Sequence, residues 1–186
     1  MNRYLPDHVH CKGERFHVLL TEEEIQKRTA EIGSKLARQF EGKRPIFIGV
    51  LNGAFIFLSD LMRLTPIPCE VDFIKLSSYG DEKVSSGEVI ELKEINADLT
   101  GRDVILVEDI VDTGLSITFL ADRLNSLQPA SLTLVTLLHK VSATTRQVTL
   151  DHVGFEIPDR FVLGYGLDFS QEGRNLAQIY IQEDEV

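Results

Sequence analysis

The sequence predicts an α/β fold built on a parallel sheet. Short apolar runs at residues 45–51, 103–107 and 132–138 look like strands buried on both faces. Helical patterns separate them, and the order strand, helix, strand, helix, strand is the one parallel crossovers require. The 186 residues, 43% hydrophobic, read as one domain, 1–186. A chain of this size buries a core without disulfides.

In order along the chain, Thr21 and Glu24 form a capping-box pattern ahead of Ile25, Ile32, Leu36 and Phe40, and Gly42 closes that helix. The run at 45–51 follows, then a helical pattern over 54–64 that stops before Pro66. Residues 69–76 alternate as a strand does, with Val71, Phe73 and Leu76 against Asp72 and Lys75. Residues 77–87 hold four Ser and two Gly without periodicity, and 88–95 alternate again as a hairpin partner. After the strand at 103–107 come a polar turn, a helix over 115–127 and the strand at 132–138. Shorter strands are expected over 151–155, 161–165 and 177–181. In such sheets ligands bind where strands end and helices begin, here after Leu51, Val107 and Leu138.

Composition narrows the function. Lys and Arg total 19 against 29 Asp and Glu, a net charge of −10, which disfavours general nucleic-acid binding. No apolar run approaches the ~20 residues a membrane helix needs. Cys11 and Cys69 make no disulfide framework and no signal peptide is apparent, so a cytoplasmic location is expected. His8, His10 and Cys11 read as a frayed polar start, and Glu183, Asp184 and Glu185 as a solvated tail. Any phosphate site in so acidic a chain must use backbone N–H groups, a helix N-terminus, a few placed cations and a divalent metal.

The segment richest in chemistry runs from Val104 to Ser116. An apolar strand delivers Glu108 and Asp109 at its end, suited to vicinal hydroxyls or a divalent cation. Asp112-Thr113-Gly114-Leu115-Ser116 then opens a helix and suits a phosphate: Gly114 admits close backbone approach and the hydroxyls of Thr113 and Ser116 add donors. Other readings compete. Asp-Thr-Gly is the aspartic-protease tripeptide, but that chemistry needs two such loops. Adjacent acids after a strand occur in phospho-acceptor receiver domains, though near the domain's start. A structural acidic turn would leave three close carboxylates repelling one another.

The stretch from Val107 to Ser116 resembles the phosphoribosyl diphosphate (PRPP) motif of type I phosphoribosyltransferases. Leu51-Asn52-Gly53-Ala54-Phe55, Asp72-Phe73-Ile74 with Ser77-Ser78-Tyr79-Gly80, and the run from Val153 to Asp168 are similar to the hypoxanthine-guanine branch. The resemblance implies the type I phosphoribosyltransferase fold: a twisted, mostly parallel sheet flanked by helices, a small hood from both chain ends, and a flexible lid hairpin near 77–87. It implies transfer of the 5-phosphoribosyl group to N9 of hypoxanthine or guanine, with Mg²⁺ as cofactor and a homodimer or homotetramer as the assembly.

Carried over by motif, Glu108 and Asp109 hold the ribose hydroxyls directly or through Mg²⁺, and Thr113, Gly114, Leu115 and Ser116 hold the 5′-phosphate. Asp112 exchanges a proton at purine N7, and equally reads as a helix N-cap. Lys140 reaches the exocyclic O6; an ammonium only donates, so it favours 6-oxopurines over adenine. Alone it reads as a solvated charge, and Val141 follows it where the family usually has Pro. Phe161 stacks on the base and the Val162 backbone reads its edge, although both also suit a core strand. Asp168 completes the purine site and takes a second Mg²⁺, while Arg174, after Gly173 where relatives more often have an aromatic, contacts pyrophosphate. Asn52 and Gly53 form the pyrophosphate loop, with a cis peptide expected between Leu51 and Asn52. Many relatives carry Lys where this chain has Asn52. Ser78 and Tyr79 belong to the lid, for which a disordered hairpin tip is the alternative. Two further readings stay open: a regulatory relative that binds RNA, and an enzyme preferring xanthine or a pyrimidine.

Overall fold

The computed structural model describes residues 5–78, 89–146 and 148–183. An antiparallel hairpin comes first, β1 (His8–Cys11) and β2 (Glu14–Leu20), turned at Lys12 and Gly13, both with positive φ. The polar start is therefore paired, not frayed. Its outer face carries His8, His10 and Arg15, while Cys11 and Phe16 are buried on the other. A short edge strand with one wet face shows too little apolar rhythm to be read from sequence.

Helix α1 (Glu22–Gln39) starts where the capping box placed it: Glu24 N donates to Thr21 Oγ1 at 3.3 Å and Thr21 N donates to Glu24 Oε2 at 2.9 Å. Next come β3 (Ile46–Leu51), α2 (Phe55–Arg63) and β4 (Glu70–Ser78), then β5 (Val89–Lys93), antiparallel to β4. After these follow β6 (Asp103–Val111), α3 (Leu115–Asn125), β7 (Ser131–His139) and β8 (His152–Glu156). Together they make a six-stranded sheet ordered β5-β4-β3-β6-β7-β8, parallel except at β5. Finally β9 (Val162–Leu163) and β10 (Ile179–Gln182) turn back to the chain's start, giving a four-stranded antiparallel sheet β1-β2-β10-β9.

Alternation along the central strands sorts the core. Phe47, Ile105, Val107, Val135 and Leu137 pack on one face against Ile25, Ile32 and Leu36 of α1 and Phe57, Leu58 and Leu61 of α2. Ile46, Ile48, Val50, Val104, Leu106 and Leu134 pack on the other against Ile117, Leu120 and Leu124 of α3. Ile179, Ile181, Tyr165 and Leu167 from the C-terminal part join the first of these layers, so the small sheet is anchored to the main core. Tyr165 O–H also donates to Asp60 Oδ2 of α2 at 2.7 Å.

One mismatch of length makes the site. β3 pairs with β6 only as far as Gly49↔Val107, whereas β6 continues beside β7 through Ile110↔Leu138 and Val111↔His139. The strand expected to end at residue 107 thus runs to Val111, because its ladder with β7 outlasts its apolar run. Beyond Val107 no β3 residue pairs with β6, and β3 passes into the Leu51–Asn52 turn through a cis peptide bond, as expected.

Candidate active site

Glu108 and Asp109 lie on the part of β6 that pairs with β7 but no longer with β3. Burial, and next the charge of Asp109, push the Glu108 carboxyl well above its ordinary range. Burial raises Asp109 as well, opposed by hydrogen bonds, including one from Ile110 N at 2.9 Å, and by the charge of Arg174. Two adjacent carboxyl groups in so dry a place are set to receive donors or a cation. Gly53 makes room for them: a Cβ there would overlap Asp109 Oδ2.

Asp112 and Thr113 are exposed, and Gly114, at φ +85°, is the N-cap of α3. The N-cap itself has no side chain to offer, so the alternative reading of Asp112 as the helix N-cap is not found. The carboxylate of Asp112 is drawn instead to Lys140, whose Nζ donates to Asp112 Oδ2 at 2.9 Å. A cleft of about 290 Å³ opens over the turn, with Glu108, Asp109, Asp112, Thr113, Gly114 and Ser116 in its lining. Leu115 is not part of that lining; its N–H donates to Thr113 Oγ1 at 3.4 Å. A helix start with its N–H groups, the positive end of the helix dipole and two hydroxyls is an arrangement suited to an anion of phosphate size.

A second cleft of about 350 Å³ adjoins the first and shares Asp109, Ile110 and Asp112 with it. Asn52, Gly53, Lys140, Phe161, Val162, Asp168 and Arg174 line its remaining walls. Lys140 is buried and held also by Asp159 Oδ1 at 3.3 Å, which is not how a solvated surface lysine sits. Phe161 keeps 41% of its surface exposed while packing edge-on against Phe169 at 5.1 Å between ring centroids. Val162 is buried and pairs with Ile181. Arg174 and Asp168 form an ion pair of 2.6 Å, and the Arg174 guanidinium also donates to Gly166 O at 2.7 Å. Gly173, at φ +94°, makes the turn before it, a backbone conformation in which an aromatic residue would be strained.

A layer of support escaped the sequence reading. Thr144 Oγ1 donates to Asp112 O at 2.8 Å, Thr145 N donates to Thr113 O at 3.1 Å, and Lys140 N donates to Val111 O at 2.9 Å. The 140–145 turn thereby braces the anion loop from behind. Nothing in local sequence marks Thr144, Thr145 or Asp159, since each matters only through residues some thirty positions away or across a loop. Of the two residues expected in a lid, Tyr79 lies outside the described residues; Ser78 ends β4, and its side chain is likewise outside them.

Among the described residues no three His, Cys, Asp or Glu side chains gather into a metal site. This donor set fits Mg²⁺, which takes one or two carboxylates plus substrate oxygens and keeps several waters. Glu108 and Asp109 on one side and Asp168 on the other face the clefts where such oxygens would arrive.

Comparison with known proteins agrees with this geometry. Residues 19–170 match the model of the phosphoribosyl transferase domain. The hypoxanthine-guanine phosphoribosyltransferase of Bacillus subtilis is 42% identical over 91% of this chain and 94% of its own. The bifunctional protein TilS/HprT of Listeria monocytogenes is also 42% identical over 91% of this chain, which spans only 26% of that relative's length. The crystal structure of a Bacillus anthracis hypoxanthine-guanine phosphoribosyltransferase superposes with a TM-score of 0.84 at 40% identity, covering 88% of this chain and 96% of that one. By sequence match and by fold, the chain belongs to the phosphoribosyltransferase family, in its hypoxanthine-guanine branch.

Proposed function

We propose that the protein works in purine salvage, transferring the 5-phosphoribosyl group of PRPP to N9 of hypoxanthine or guanine and releasing pyrophosphate. The observation that carries this reading is the pair of adjoining clefts that share Asp112. One has the anion-binding helix start; the other has a buried lysine next to that same aspartate.

In this reading Thr113, Gly114 and Ser116, with the Leu115 N–H, hold the 5′-phosphate, and Glu108 and Asp109 hold the ribose hydroxyls. Asn52, Gly53 and Arg174 contact the pyrophosphate. Phe161 stacks on the purine, Val162 meets its edge through backbone groups, and Asp168 closes that side. Lys140 donates to O6, leaving the amino group of adenine without an acceptor. Asp112 takes the N7 proton as N9 bonds to the anomeric carbon and the bond to pyrophosphate breaks. Positive charge developing on the ribose is stabilised by carboxylates already in place. Glu108 or Asp109 would hold one Mg²⁺ and Asp168 a second, and the charge they supply would offset that of the pyrophosphate. Residues 77–87, with Ser78 and Tyr79, close over the reaction and exclude water. A homodimer or homotetramer in the cytoplasm completes the proposal; no described helix is long and apolar enough to cross a membrane.

The test is absorbance-monitored nucleotide formation with PRPP, Mg²⁺ and hypoxanthine, guanine, xanthine or adenine offered separately. IMP and GMP are the expected products, with none from adenine. A protein that makes neither would end this reading. The net charge of −10 speaks against the RNA-binding alternative.

A further inference from the structure

The second cleft is short of free positive charge. Pyrophosphate carries several negative charges, yet Lys140 is engaged by Asp112 and Asp159, and Arg174 by Asp168. Asn52 brings none. Lys93, near the same edge of the sheet, is tied to Asp72 at 3.1 Å. Among the described residues Lys75 differs from all of these: it is half-buried and its ammonium makes no hydrogen bond or ion pair.

Its position is telling. In the parallel register of β3 and β4, Lys75 stands opposite Leu51, the residue that leads into the Asn52–Gly53 turn. Backbones so paired are only ~4.8 Å apart. Strand alternation puts Lys75 on the face of Phe73, which packs with the α1 and α2 layer, and the turn from Leu51 runs into α2 on that same face. The ladder from β4 to β5 is irregular between Lys75 and Leu76, the kind of bulge that re-aims a side chain beside a site.

We propose that Lys75 is a pyrophosphate-binding residue of this chain, supplying from the neighbouring strand the positive charge that Asn52 lacks. The proposal rests on the phosphoribosyl-transfer reading and names one more group for its anion. An ammonium on a flexible stem serves as a point charge toward phosphate, needing only reach rather than a fixed fork geometry.

Calorimetric titration of the intact protein with magnesium pyrophosphate, and separately with GMP, tests it in the wild type, Lys75→Gln and Lys75→Arg. Lys75→Gln should weaken pyrophosphate roughly tenfold and flatten the dependence of its affinity on ionic strength, with GMP unaffected and Lys75→Arg near wild type. In turnover, its KM for PRPP should rise by a similar factor while kcat at saturating PRPP moves less than about threefold. Unchanged pyrophosphate affinity in Lys75→Gln would overturn the proposal, as would an equal loss for GMP, which marks a structural role. A wild-type protein with no affinity for pyrophosphate or PRPP would instead overturn the reading beneath it.

Discussion

Lys140 and Asp112 are joined directly, Nζ to Oδ2 at 2.9 Å, across the ends of two neighbouring parallel strands. A purine presents O6 and N7 on one edge, both open to hydrogen bonding. The bonded pair sets a donor and a carboxylate side by side, matching that edge in shape, and Asp159 also holds the ammonium, at 3.3 Å.

Asp112→Asn should lower kcat by about 10²–10⁴, the range for loss of a positioned general acid–base. Asp112 is exposed and caps no helix, so the melting temperature should stay within a few degrees of wild type. Steady-state kinetics and thermal unfolding of the same preparation check both halves. Wild-type turnover in the variant removes Asp112 from the mechanism.

Lys140→Gln keeps a donor but adds an acceptor and removes the charge. The KM for guanine should rise by about one to two orders of magnitude, the range for removing a charge-assisted hydrogen bond. Exclusion of adenine should weaken. A base panel run on this variant decides, and intact selectivity with intact guanine affinity would contradict the assignment.

Gly53→Ala forces a methyl group into the space held by the Asp109 carboxylate. A carboxylate can swing aside where backbone cannot, so the protein should fold with a modestly lower melting temperature. The displaced Asp109 should lower kcat/KM for PRPP by about tenfold or more, as misplacement of a binding group does. An alanine variant with native PRPP kinetics would show that Asp109 need not stay where it lies.

Asp72 accepts from Phe73 N at 2.7 Å, Asn96 N at 2.6 Å, Ala97 N at 3.1 Å and Lys93 Nζ at 3.1 Å. Burial works against its ionised form, but these hydrogen bonds outweigh it and hold the carboxyl below its usual range. With the folded pKa below the unfolded one, the stabilisation is present above the ordinary carboxylate range and fades as pH falls through the folded value. Asp72→Asn should cost about 2 kcal/mol at pH 7, about 4–8 °C in melting temperature. That gap should narrow between about pH 5 and pH 3. A gap independent of pH would show that the charge is not what matters.

What the sequence determined by itself was the order of the central elements and the chemistry of one loop. Buried strands, a capping box and the acids beside a Thr-Gly turn all write their demands into adjacent residues, because burial on both faces and helix starts are local constraints. The family resemblance then named Asn52, Lys140, Phe161, Asp168 and Arg174, which lie apart in the chain, and all of them line one cleft. Tertiary structure alone decided the rest. That β6 runs to Val111 depends on how far β7 accompanies it. That β2 is a strand, with β1 on its outer edge, depends on β10 arriving to pair with β2. That Asp112 answers to Lys140 rather than to the helix behind it depends on two strand ends meeting. Pairing partners and ion pairs between distant segments leave no periodic mark, since neither partner's neighbours in the chain need to differ for the contact to form.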